Sequence, residues 1–135
     1  MKFLCLILLS FSVEAMPLLE IKSGKVEEVT PFSHKYELII ADNCAHCMNQ
    51  LNQMKDCVAD RDVIVLMENL SKLSEDKLKR LVAKKKIPYS AYLLDSAARA
   101  AYEFKGVTPM MWITGKDSKK SFTGVVSCDS LKLNF

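Results

Sequence analysis

Several absences narrow this 135-residue chain before any motif is read. The longest apolar stretch, Phe3 to Val13, has eleven residues. That is well short of the roughly 20 that a membrane-spanning helix needs, so no stable span is expected. Charge is nearly balanced: 19 Lys and Arg against 16 Asp and Glu leave a net +3. So mild an excess argues against a nucleic-acid surface. There are only two histidines, and neither a second Cys-x-x-Cys nor a His pair follows the first cysteine motif. Four converging zinc ligands are therefore not expected, and no cofactor site is read. Glycine and proline number four each, and no repeat, low-complexity tract or linker divides the chain. What remains is one domain, half hydrophobic, large enough to bury a core.

The N-terminus reads as an address. Lys2 is a short positive region, Phe3 to Val13 an apolar one, and Val13-Glu14-Ala15 a cleavage site. Residues 1–15 are thus expected to be a signal peptide and residues 16–135 the exported domain, periplasmic or extracellular. Cys5 lies inside the apolar region, not where a lipid would be attached. The exported part keeps Cys44, Cys47, Cys57 and Cys128. In an oxidising compartment an even number allows two structural bridges. A bridge between Cys44 and Cys47, however, closes a loop too short to remove much unfolded-state entropy.

Those two cysteines sit where a strand hands over to a helix. The β-prone run Tyr36 to Ala41 ends at Asp42-Asn43-Cys44-Ala45-His46-Cys47. From Cys47 the apolar residues Leu51, Met54 and Val58 follow at helical spacing. Both thiols then fall in the first turn of a helix over about 44–58. Free backbone N–H groups and the positive end of the helix dipole stabilise a thiolate there.

Further along, 18–21 and 25–29 read as strands around a Ser23-Gly24 turn, and 62–67 as a second buried strand parallel to 36–41. Ser74 caps a helix that Pro88 stops, with a solvated basic face of Lys77, Lys79, Arg80 and Lys84 to Lys86. A strand over 89–94 and a helix from Asp95 or Ser96 to about Phe104 follow, with Gly106 as the residue after that helix. Thr108-Pro109 opens a strand to Ile113, and 120–126 returns as its hairpin partner. Ser127 caps a short last helix carrying Leu131, Leu133 and Phe135.

This order, with the segment Glu75 to Tyr89, Leu94 to Phe104 and Gly106 to Pro109, resembles the TlpA/ResA-type exported thiol–disulfide oxidoreductases. The resemblance implies an α/β thioredoxin-like fold: a central mixed β-sheet flanked by helices, with an inserted αβ segment before a cis-proline. The dipeptide Ala45-His46 resembles that of DsbA-type oxidants, which place a histidine just before the second cysteine. Three positions depart from family habit. Asn43 stands where an aromatic residue is usual, Gln50 where a glutamate is frequent, and Leu38 where cytosolic thioredoxin buries an aspartate.

The resemblance implies disulfide exchange with protein thiols and disulfides, served by an upstream redox partner, in a monomer. Cys44 is the expected nucleophile and Cys47 the resolving thiol. His46 is the catalytic tuning residue: protonated, it favours the Cys44 thiolate and the reduced form, with Asp42 opposing it. The expected potential is roughly −230 to −120 mV. Thr108 and cis Pro109 are the expected substrate-binding pair. Cys57 is expected as a buried thiol, and a Cys57–Cys128 bridge is disfavoured because the last helix is expected to begin at the active-site end. Two alternatives stay open: copper delivery through the same cysteines with His46 and Met48, and a redox-silent binding module.

Overall fold

The structure, a computed structural model, describes residues 14–134. Most of the expected export signal, residues 1–13, lies outside the described residues, as does Phe135. The elements run β1 (Met16–Glu20), β2 (Lys25–Val29), β3 (Tyr36–Ala41), α1 (Ala45–Lys55), β4 (Val63–Glu68), α2 (Glu75–Lys84), β5 (Ser90–Leu93), α3 (Ser96–Ala101), β6 (Met110–Thr114), β7 (Lys119–Thr123) and α4 (Cys128–Asn134). A 3-10 turn over Asp60–Asp62 precedes β4.

The strands form one mixed seven-stranded sheet in the order β2-β1-β5-β4-β3-β6-β7. β3 pairs in parallel with β4 and antiparallel with β6, and β4 pairs in parallel with β5. Every residue of β3 and β4 is buried, as their unbroken apolar runs require of strands covered on both faces. Alternation then divides the core in two. Leu38, Ile40, Val65 and Met67 pack with Cys47, Leu51 and Met54 of α1, Leu78 and Val82 of α2, and Leu131 of α4. Ile39, Ile64 and Leu66 pack on the other face with Ala98 of α3, Tyr102, Met110 and Trp112. The αβ segment α2–β5–α3 stands between β4 and β6, as expected, and the Thr108–Pro109 peptide is cis.

Boundaries differ from the sequence expectation at two helices. α1 stops at Lys55, where the Cys57 N–H turns back only three residues to the Met54 carbonyl at 3.2 Å. α3 stops at Ala101, and the left-handed residue that ends it is Glu103 (φ 50°), not Gly106. The Phe104 N–H closes that turn on the Arg99 carbonyl at 3.0 Å.

One polar residue sits inside the second core. Glu37, on β3 opposite Trp112, is fully buried. One carboxylate oxygen accepts from the Phe32 N–H at 3.1 Å and from the Tyr102 hydroxyl, and the other has no partner. Phe32 packs edge-on against Tyr102 and Trp112, and the Lys119 ammonium lies 3.6 Å above its ring. Burial outweighs these hydrogen bonds and the Lys119 charge, and it pushes the Glu37 carboxyl up to about 7. Glu37 thus keeps a proton in the folded state that the unfolded chain has already lost above the ordinary glutamate value of 4.5. Stability is therefore fully present below pH 4.5 and declines as pH rises through 7. The decline is about 3 kcal/mol, at 1.36 kcal/mol per unit. Denaturant titrations at pH 5 and pH 8 are expected to show that loss, and Glu37→Gln is expected to remove most of it. Equal wild-type stability at the two pH values would contradict the assignment.

Candidate dithiol site

The first core delivers the cysteines. β3 carries the chain to the surface at Ala41, and α1 starts four residues later. Cys44 is the N-cap of α1, with extended backbone (φ −112°, ψ 109°), and its sulfur accepts the Cys47 N–H at 3.2 Å. It thereby occupies a place where serine or aspartate usually satisfies a free helix N–H. Cys44 and Cys47 are disulfide-bonded, with Cα atoms 5.3 Å apart. Their exposures differ: Cys44 is half-buried, while Cys47 is 1% exposed inside the core. One sulfur is offered to solvent and the other is held behind it. No acidic residue stands in the first turn of α1, so nothing there opposes negative charge on Cys44.

His46 is exposed on the first turn, next to Cys47 in sequence. Asp42, two residues before Cys44, is buried. Its carboxylate turns to the loop after β4 and accepts the Leu70 N–H at 2.7 Å. Burial alone would raise this carboxyl, but hydrogen bonds from the Ser71 side chain and from the Leu70 and Ser71 backbone hold it below its ordinary value. The candidate copper ligands do not converge. Met48 packs on the core while His46 faces solvent, and His34 precedes the far end of β3. Among the described residues, no cluster of three or more His, Cys, Asp or Glu side chains could hold a metal.

Strand register brings the proline into the site. Ile39 pairs with Met110, so continuing the antiparallel register sets Pro109 and Thr108 beside the end of β3 from which the cysteine loop leaves. Pro109 is buried and Thr108 half-buried. Among the described residues no hydrogen bond engages the Thr108 backbone, whereas the Pro109 carbonyl accepts the Gly124 N–H at 2.8 Å. Three exposed apolar side chains crown the same end of the sheet: Leu70 (53% exposed), Val107 (52%) and Val125 (40%). These were not singled out from the sequence, where a lone apolar residue in a loop carries no signal.

Gln50 was noted from the sequence only as a missing acid, and it has a positive role. It is fully buried on the inner side of α1. Its amide donates to the Val126 carbonyl at 3.1 Å, and its carbonyl accepts the Val126 N–H. Only a side chain that both donates and accepts can pair with one residue's backbone in this way. Gln50 thereby ties the β7–α4 connection along α1. That course also overturns the expected position of Cys128, whose N–H reaches the Gln53 side chain at 3.3 Å. α4 begins beside the far half of α1, not at the dithiol.

Neither the protein-family models nor the curated proteins compared with this chain match its sequence. Solved structures do match its fold. StoA from Bacillus subtilis aligns at TM-score 0.61 and 16% identity, over 88% of this chain and 94% of its own. The exposed lipoprotein thioredoxin Etrx1 of Streptococcus pneumoniae aligns at TM-score 0.66 and 18% identity, over 89% and 96%. A secreted Mycobacterium tuberculosis disulfide oxidoreductase homologous to E. coli DsbE aligns at TM-score 0.63 and 11% identity, over 86% and 90%. The chain has a thioredoxin-like fold.

Replacing Gln50 tests the tie. Gln50→Glu keeps shape and acceptor but, when ionised, confronts the Val126 carbonyl with a second acceptor. Denaturation at pH 8 is expected to show a loss of about 1–3 kcal/mol. The loss should shrink in acid, where the protonated carboxyl can donate. A loss that is the same at both pH values would mean that Gln50 acts through packing alone.

Proposed function

We propose that this chain is an exported thiol–disulfide oxidoreductase that exchanges disulfides with protein substrates through Cys44 and Cys47. One observation carries the reading: a half-buried N-cap sulfur is bonded to a fully buried one, at the end of the sheet where cis Pro109 lies. In the oxidising direction a substrate thiolate attacks the Cys44 sulfur and expels Cys47 as thiolate. A second substrate thiolate then attacks the substrate sulfur of the mixed disulfide and expels Cys44. The substrate loses two electrons, and the dithiol gains them with two protons from solvent. In the reducing direction the Cys44 thiolate attacks first and Cys47 resolves.

The free Thr108 backbone offers an extended substrate peptide a pairing edge, and Leu70, Val107 and Val125 offer it apolar contact. Two concavities lie away from the dithiol. One of about 470 Å³ is lined by Ser33, His34, Lys35 and Thr114 among others, and one of about 320 Å³ by residues that include Val82 and Ile87 of the α2 region. A surface site with an open peptide edge fits a protein substrate better than a small molecule. Export is supported by the leader-like residues 1–15 and by the secreted and surface-exposed proteins among the structural neighbours. We take the protein to act as a monomer that an upstream redox partner recharges.

Equilibration in glutathione buffers is expected to give one reversible two-electron couple at Cys44/Cys47, at roughly −230 to −120 mV. Cys44→Ser should abolish both the couple and insulin-disulfide exchange. A dithiol that stays oxidised down to about −300 mV would instead be a structural bridge. His46→Leu should lower the potential, since it removes a polar side chain beside the dithiol that can stabilise the thiolate. An unchanged value would take His46 out of the mechanism.

A further inference from the structure

The other two cysteines are far apart in sequence and adjacent in the fold. Cys57 lies in the turn that ends α1, and Cys128 opens α4. Both are half-buried free thiols, and the two segments that carry them meet at Gln53. Gln53 holds the two segments together: its backbone carbonyl accepts the Cys57 thiol at 3.2 Å, and its side-chain oxygen accepts the Cys128 N–H at 3.3 Å. Gln50 fixes Val126 just upstream. The thiol pair is therefore positioned by three separate polar contacts to α1. It also stands ten residues beyond Cys47, roughly 15 Å along the helix axis, too far for direct exchange with the first dithiol.

We infer that Cys57 and Cys128 are a second redox site, closing reversibly into a disulfide that clamps α4 onto the end of α1. The oxidant is a small disulfide, RSSR. Deprotonated Cys128 attacks one sulfur of RSSR and releases RS⁻, and Cys57, losing its proton to solvent, attacks the Cys128 sulfur and releases the second RS⁻. Two thiols lose two electrons and two protons, and RSSR becomes two RSH. Burial and the Cys128 contact push the Cys57 thiol up to about 11. It rests protonated near neutral pH, so closure is slow compared with exchange at a helix-capping thiolate. The bond would enclose about half of the chain, a long loop whose closure restricts the unfolded state strongly.

Peptide mapping tests this independently of the reading of Cys44/Cys47. Trypsin separates Cys44 and Cys47, Cys57, and Cys128 onto peptides 36–55, 56–61 and 121–132, apart from Cys5 on 3–22. Native full-length protein is incubated in stepped ratios of oxidised to reduced glutathione, quenched in acid, alkylated and digested without reduction. The expected product at oxidising ratios is peptide 56–61 linked to 121–132, formed in the wild type and in the Cys44→Ser/Cys47→Ser variant alike. It should be reversed by excess reduced glutathione and accompanied by a higher thermal midpoint. The midpoint shift should vanish in Cys57→Ser/Cys128→Ser. Thiols alkylated at every ratio would overturn the proposal, and so would single glutathione adducts or links between chains in place of the internal bond. A cycling Cys44/Cys47 pair with inert Cys57 and Cys128 would sink this site alone. The reverse pattern would sink the proposed function and leave this site standing.

Discussion

β3 is the constraint on which the rest of this molecule depends. All six of its residues are buried and both of its edges are paired, so it needs a helical layer on each face. The layer with α1 contains the buried cysteine, and the opposite layer contains Glu37 with Tyr102 and Phe32. The dithiol therefore sits at the one end of β3 where the backbone leaves the sheet, on a helix whose apolar side is already committed to the core. Cys47 could not be moved outward without withdrawing Leu51 and Met54 with it. The asymmetry between one accessible and one buried sulfur follows from packing, before any electrostatic tuning.

The parts that repeat or alternate were legible in the sequence. Tyr36 to Ala41 and Val63 to Met67 announced buried strands by composition, and Cys47, Leu51 and Met54 announced a helix by spacing. Ser74 is legible as an N-cap and accepts the Lys77 N–H; of the two candidates Asp95 and Ser96, Asp95 is the cap and accepts the Ala98 N–H. What failed was the course of a connection. No local pattern says that residues 124–127 run along α1 toward Cys57. The one available hint was a pair of amides, Gln50 and Gln53, three apart and beside the apolar stripe, where a buried polar group must find a backbone partner. Glu37 was hidden by its neighbours: a run read as central leaves no solvent side for a carboxylate, and that conflict was itself the clue.

Asp42 shows why position next to a motif is a poor guide to role. It stands two residues before Cys44, yet its carboxylate organises the loop at Leu70 and Ser71. Its contribution to the site is to fix where Leu70 stands. Gln50 works similarly at a distance, holding Val126 and hence the neighbouring Val125. The paired sulfurs are thus surrounded by surface whose placement is set from beneath by buried polar pairs.

Leu70, Val107 and Val125 belong to three different connections, β4–α2, α3–β6 and β7–α4, and each side chain is exposed and outside the core. A substitution at any one of them changes the exposed surface at that end of the sheet and leaves the sheet, the helix cap and the paired sulfurs untouched. The same fold is shared at 11–18% identity by StoA, Etrx1 and the Mycobacterium tuberculosis oxidoreductase, so most surface positions are free to differ while the buried frame is kept.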